Sequence, residues 1–156
     1  MTSNFIFEKR KELQAACLYW ESDRTAALDY FGDINTWDVS QITDFSELFY
    51  TSNFNSDIGN WDVSNGTDFS YMFYKADAFN QDISSWDVSS GISFSSMFHG
   101  ARSFNQDIGS WNVSSGTNFK YMFNNARSFN QDIGSWNVGS GTNFNWMFEG
   151  ANLMLS

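Results

Sequence analysis

Tryptophans at positions 37, 61, 86, 111 and 136 recur at intervals of 24, 25, 25 and 25 residues. A fixed period of this length restricts the chain to an array of near-identical units, each burying its apolar side against its neighbours. Taking each full unit to begin at Phe54, Phe79, Phe104 and Phe129, the template reads F-N-x-D-I-x-x-W-D/N-V-x-x-G-x-x-F-x-x-M-F-x-x-A-x-x, with a shorter copy over 30–53. Of the 17 phenylalanines, 14 fall in three columns of this alignment, which makes the columns a design of the fold rather than a bias of composition.

Within one unit the apolar period changes. Ile83, Trp86 and Val88 have the L-x-x-L-x-L spacing of a leucine-rich-repeat strand. After a Gly turn, Phe69, Met72, Phe73 and Ala76 follow at i, i+3, i+4 and i+7, one face of a helix, with Thr67 or Asp68 placed to cap it. The expected fold is an α/β right-handed solenoid of five strand-turn-helix coils. Its interior columns hold Trp37, Trp61, Trp86, Trp111 and Trp136, together with Phe69, Phe94, Phe119 and Phe144.

An array end needs a cover. Residues 5–30 carry Leu13, Ala16, Cys17 and Trp20 on one stripe, then an N-cap candidate at Ser22 or Asp23, and Ala26, Ala27 and Tyr30. Two covering helices are expected there. The anticipated organisation is therefore a helical cap over 1–29, five coils over 30–151 and a tail over 152–156, in one structural domain. The far end has only Leu153, Met154 and Leu155 to fold over it. Either they do so, or a partner, a second copy or further coils cover that edge, with Trp146, Leu153 and Leu155 as contact residues.

The net charge of −10 argues against nucleic acid, whose affinity comes from Lys and Arg on phosphates, and against an anionic membrane. No apolar run approaches a membrane span, so no membrane insertion is expected. The opening MTSNFIFEKRKELQAACLYW places charges where an export leader needs an apolar run. Two readings stand: an intracellular protein, or a piece whose leader and flanks were removed. One cysteine excludes an internal disulfide, and no cofactor motif is present. A single His99, far from Cys17 and read as a solvated surface residue, leaves no catalytic constellation, so no enzyme is expected.

Two polar or aromatic columns remain. Asp33, Asp57, Asp82, Asp107 and Asp132 occur in every unit, and like charges about 4.8 Å apart repel by roughly 1 kcal/mol in water. They are read as buried or half-buried turn carboxylates accepting backbone N–H bonds, with calcium between coils as the competing reading. Asp87, on the open strand face, is expected to matter less. Tyr50, Tyr71, Tyr74, Tyr121 and Trp146 lie off the core stripe, on outward helix positions. Tyr and Trp dominate protein interfaces, so these residues are the candidate partner surface. The function read from the chain is a non-enzymatic repeat protein presenting a protein-interaction surface, as adhesion module or structural subunit. The alternative is a glycan, calcium or ice site on the polar strand face. Asn65 and Asn112 also head glycosylation sequons, which an Asn- and Ser-rich chain produces by chance.

The stretches FNSDIGNWDVSNGTDFSYMFYKA, FNQDISSWDVSSGISFSSMFHGA, FNQDIGSWNVSSGTNFKYMFNNA and FNQDIGSWNVGSGTNFNWMFEGA resemble the BspA-like leucine-rich-repeat surface proteins, as does the lead-in ESDRTAALDYFGDINTWDVSQITDFSELF. The resemblance implies a surface or secreted protein, if a leader was removed, of a family in which a few members have adhesion or protein-binding roles. Gly66, Gly91, Gly116 and Gly141 stand where that family often has Val, and Phe where it often has Met, a pairing that looks like an exchange of volume.

Overall fold

The computed structural model describes residues 4–152. Helix α1 spans Arg10–Ser22 and α2 spans Arg24–Phe31, followed by a single 3-10 turn at Ile34–Thr36. Helix α1 buries Leu13, Ala16, Cys17 and Trp20, the i, i+3, i+4, i+7 stripe of an amphipathic helix. It stops at Asp23, whose carboxylate accepts the Ala26 N–H at 3.1 Å and so starts α2. Gly32, at φ 76°, ends α2.

The five-coil strand-turn-helix solenoid is not what the chain builds. Both α-helices lie before residue 32, and among the described residues there is no strand, only five isolated parallel bridges. Four of these link Asp44, Asp68, Ser93, Asn118 and Asn143, one residue per unit. The units instead stack as tiers made of turns.

The reason lies in where the backbone N–H groups go. In the segment read as a helix, Met72, Tyr74 and Ala76 donate within their tier to Phe69, Tyr71 and Phe73, three residues back. The intervening Phe69, Tyr71, Phe73 and Lys75 donate outward, to Ser93, Ser95, Met97 and His99 of the next tier. A helix would direct all of them to i−4. Tyr71 and Lys75 have positive φ, 59° and 52°, and each tier repeats the device. Overlapping four-residue turns place Phe69, Met72, Phe73 and Ala76 inward, which is why their spacing imitates a helical face. The segment read as a strand fails for a related reason. Trp86 N donates to Ile83 O and Gly91 N to Val88 O, while Asp82 and Asp87 capture Ser84 N and Ser89 N, so few groups remain for a ladder.

The side chains form columns along the stack. Phe45, Phe69, Phe94, Phe119 and Phe144 lie 5.5, 5.6, 5.5 and 5.3 Å apart, with rings within 12° of parallel. The Phe49, Phe73, Phe98, Phe123 and Phe148 column is spaced at 5.5 to 5.7 Å. Each indole from Trp61 to Trp136 donates its Nε1–H to an isoleucine carbonyl of the preceding tier, at 2.8 to 3.1 Å. The five tryptophans are buried, as are Phe69, Phe94 and Phe119, whereas Phe144 in the last tier is 40% exposed.

At the other end the extended residues Phe5 and Phe7 bracket Asp38: Asp38 N donates to Phe5 O, and Phe7 N to Asp38 O. A helix was expected from residue 5, and this short pairing takes its place. Trp20 meets Trp37 edge-on at 5.9 Å. Leu153 and Leu155 lie outside the described residues. No helix among the described residues is long and apolar enough to cross a membrane.

A Cβ placed on Gly116 would lie 2.5 Å from the Phe119 Cζ, and the same holds for Gly66 and Phe69. The glycine therefore vacates the volume that the following ring fills. Gly116→Ala is expected to cost about 1 to 3 kcal/mol in urea unfolding, as overpacking, and adding Phe119→Leu to it should recover part of that loss. Trp86→Phe keeps an aromatic ring but removes the indole donor to the buried Ile58 carbonyl, which retains the Trp61 N–H, at a cost of about 0.5 to 1.5 kcal/mol.

Candidate functional site

The aspartate column is exposed at all five positions, which corrects the expectation of burial. Each carboxylate nonetheless accepts the N–H two residues on: Asp33 from Asn35, Asp57 from Gly59, Asp82 from Ser84, Asp107 from Gly109 and Asp132 from Gly134, at 2.8 to 2.9 Å. These are Asx turns, in which a short side chain replaces a backbone acceptor. The second column behaves alike, with Asp38, Asp62, Asp87, Asn112 and Asn137 each accepting at i+2. A third column, missed in the sequence, does the same at Asp44, Asp68, Asn118 and Asn143. Only their common two-residue offset to a turn could have revealed it. Water screens the stacked charges. Among the described residues no three His, Cys, Asp or Glu side chains are grouped to hold a metal ion.

The outward aromatics sit on turn corners, not on helices. Their rings form a continuous ridge along the stack. Tyr50 stacks on Tyr74 at 4.7 Å, Tyr74 on His99 at 4.7 Å, His99 meets Tyr121 edge-on at 6.0 Å, and Tyr121 stacks on Trp146 at 5.1 Å. Tyr71 joins beside Tyr74 at 5.6 Å. Lys75 lies over Tyr74, and Lys120 over both Tyr121 and Trp146, within reach of a cation–π attraction. Tyr50, Tyr71 and Trp146 remain 46%, 37% and 51% exposed.

His99, read from sequence as merely solvated, is a half-buried link in this ridge. Burial first, and then the Lys75 charge, push its pKa below the ordinary value. Its Nδ1 is buried without a hydrogen-bond partner among the described residues. Sequence reasoning could have found it, since His99 occupies the same template position as Tyr50 and Tyr74. Cys17 lies on the buried face of α1, its thiol pKa raised chiefly by desolvation.

The Ser84 hydroxyl and then the Ser84 N–H hold the Asp82 carboxyl below its ordinary range, and Ser89 does the same for Asp87. A depressed pKa stabilises the fold above the unfolded-state value, and that stabilisation is lost as pH falls through the folded value. Stability is therefore expected to start falling as pH drops into the usual carboxylate range and to keep falling down to the depressed folded-state values. Because both sites are exposed, Asp82→Ala and Asp87→Ala should each cost less than about 1 kcal/mol, and by similar amounts. Asp82→Asn should retain most of the stability and remove the pH dependence of that site, as read from urea midpoints at pH 3 and pH 7, conditions chosen at about the carboxylate range and well above it.

Comparison with curated proteins returns no match, and comparison with solved structures returns none either. The family described as "Mycoplasma protein of unknown function, DUF285" matches residues 15–115 and again residues 92–155. The two matches overlap within the repeats and together span residues 15–155, from within α1 through every tier, so the chain belongs to that DUF285 family of repeat proteins.

Proposed function

We propose that the chain is a non-enzymatic repeat protein that presents its aromatic ridge to another protein, as an adhesion module or a structural subunit. The observation that carries this reading is the backbone under the ridge. Tyr71, Tyr121 and Trp146 have φ of 59°, 57° and 54°, a left-handed conformation that bulky residues adopt at a cost of about 1 kcal/mol or more. Gly or Asn would hold the same turn with less strain, as Gly100 and Gly150 do in the neighbouring column. Large rings kept at strained, exposed corners point to a role outside the fold.

The charges support the same edge. Lys75, Arg102, Lys120 and Arg127 are the only cations between residues 32 and 152. Lys75, Arg102 and Arg127 line one cleft with His99 and with Asp77, which pairs with Arg102 at 3.6 Å, and Lys120 covers the other end of the ridge. A basic, aromatic edge on a chain of net charge −10 suits an acidic partner surface. The resemblance of the repeat template to BspA-like surface proteins favours adhesion among the possible settings.

The test is retention on a panel of immobilised cell-surface and matrix proteins. The combined variant Tyr71→Gly/Tyr121→Gly/Trp146→Gly should melt no more than a few degrees from the parent, because relieved backbone strain offsets lost ring stacking. Its retention should fall by at least about tenfold, as expected for interface anchors. Equal retention of parent and variant, or parental retention on glycans but on no protein, would rule the ridge out.

A further inference from the structure

The outer face of the last tier repeats, without a partner, the surface on which every earlier tier receives the next. Phe119, Tyr121, Phe123 and Asn125 donate their N–H groups to the carbonyls of Asn143, Asn145, Met147 and Glu149, at 2.8, 2.9, 2.9 and 2.7 Å. The corresponding donors of the last tier are the N–H groups of Phe144, Trp146, Phe148 and Gly150. None of them has an acceptor among the described residues. In the opposite direction, Thr117 O accepts from Thr142 N and Asn143 N, while Thr142 O receives no backbone donor among those residues. Ile108 O accepts the Trp136 indole, and Ile133 O has no indole to accept. Beside these groups an open groove of about 610 Å³ is lined by Trp136, Val138, Phe144, Met147 and Phe148.

This face has a polarity that selects its occupant. It offers a row of donors, so a second copy meeting it face to face would set donors against donors. A second copy stacking head to tail is blocked by its own α1, because there Arg10 donates to the Ser46 carbonyl and pairs with Asp44. Arg10 thus occupies the place where a preceding tier would donate. What remains is a tier running in the same chain sense with no helix in front of it.

We propose that this face binds, in trans, a segment carrying the repeat's own template, F-N-x-D-I-x-x-W followed by F-x-x-M-F-x-x-A. The segment's four carbonyls would receive the N–H row that has no acceptor among the described residues, its indole would donate to Ile133 O, and its first template phenylalanine after the Gly turn would stack on Phe144. Docking continues the interface already present between tiers; of the ridge it reaches only Trp146, on which the segment's tyrosine would lie as Tyr121 lies on Trp146, and not Tyr50, Tyr71 or Tyr74.

The probe is a synthetic peptide with the sequence of residues 104–128, labelled at its N-terminus and titrated with the whole chain. Saturable one-to-one binding is expected, with none for a scrambled peptide of the same composition. The amides of Phe144, Trp146 and Phe148 should exchange freely alone and become protected with peptide. Phe144→Lys should weaken binding by at least about tenfold, since it places an unpaired charge on a desolvated face. Tyr71→Gly, on the ridge, should leave binding unchanged, which separates this inference from the ridge reading. Should Phe144→Lys fail to fold, the amide protection pattern of the parent chain decides. No saturation by about 1 mM peptide, a contact too weak to count as specific, would overturn the proposal. So would equal binding of the scrambled peptide. Protection of those three amides without peptide, whether by residues 153–156 or by dimerisation, would overturn it as well.

Discussion

Backbone hydrogen bonding in this chain is divided between two directions, and the rest of the structure depends on that division. Alternate N–H groups of each Phe-rich segment close four-residue turns within a tier, and the others reach the next tier. The division requires positive φ at two corners per tier, which L-residues resist. Stacking supplies the compensation: each added full tier pairs four more donors and lays three phenylalanines and an indole along those of its neighbour. Neither effect exists in an isolated unit, so stability belongs to neighbouring tiers jointly.

That dependence accounts for the special features of the two ends and the edge. At the first tier, α1 supplies Arg10 as a side-chain donor, and Trp20 covers Trp37. At the last tier the donors and Phe144 stand open among the described residues. Along the edge, the strained corners are available to any side chain, because the ladder holds them whatever they carry. Tyr71, Tyr121 and Trp146 occupy such corners, and with Tyr50, Tyr74 and His99 beside them they form a ridge outside the core columns, which lie on the inward positions of the same turns.

The period, the columns and the two N-terminal helices were legible in the sequence because repetition and a 3.6-residue stripe are strong signals. The local structure of the tiers was not. Phe69, Met72, Phe73 and Ala76 satisfy the helical spacing, yet the same inward set arises from two successive turns. Ile83, Trp86 and Val88 satisfy the strand spacing, yet Asp82 and Asp87 divert the flanking N–H groups into Asx turns. Apolar spacing reports which residues face inward, and it is silent on where the amides point. For the candidate site, the tyrosines stood out by type, but their strain did not, since φ leaves no mark on composition. His99 was misread by treating it as a lone histidine instead of as a member of an aromatic column.

The central claim is that Phe73 donates its N–H to the next tier and not to its own segment. Scalar coupling transmitted through hydrogen bonds measures this directly on the isotopically labelled chain. The account predicts a coupling between the Phe73 amide nitrogen and the Met97 carbonyl carbon, with equivalent couplings from Phe98 to Met122 and from Phe123 to Met147. A coupling from Phe73 to the carbonyl carbon of Phe69, one helical turn back, would contradict it.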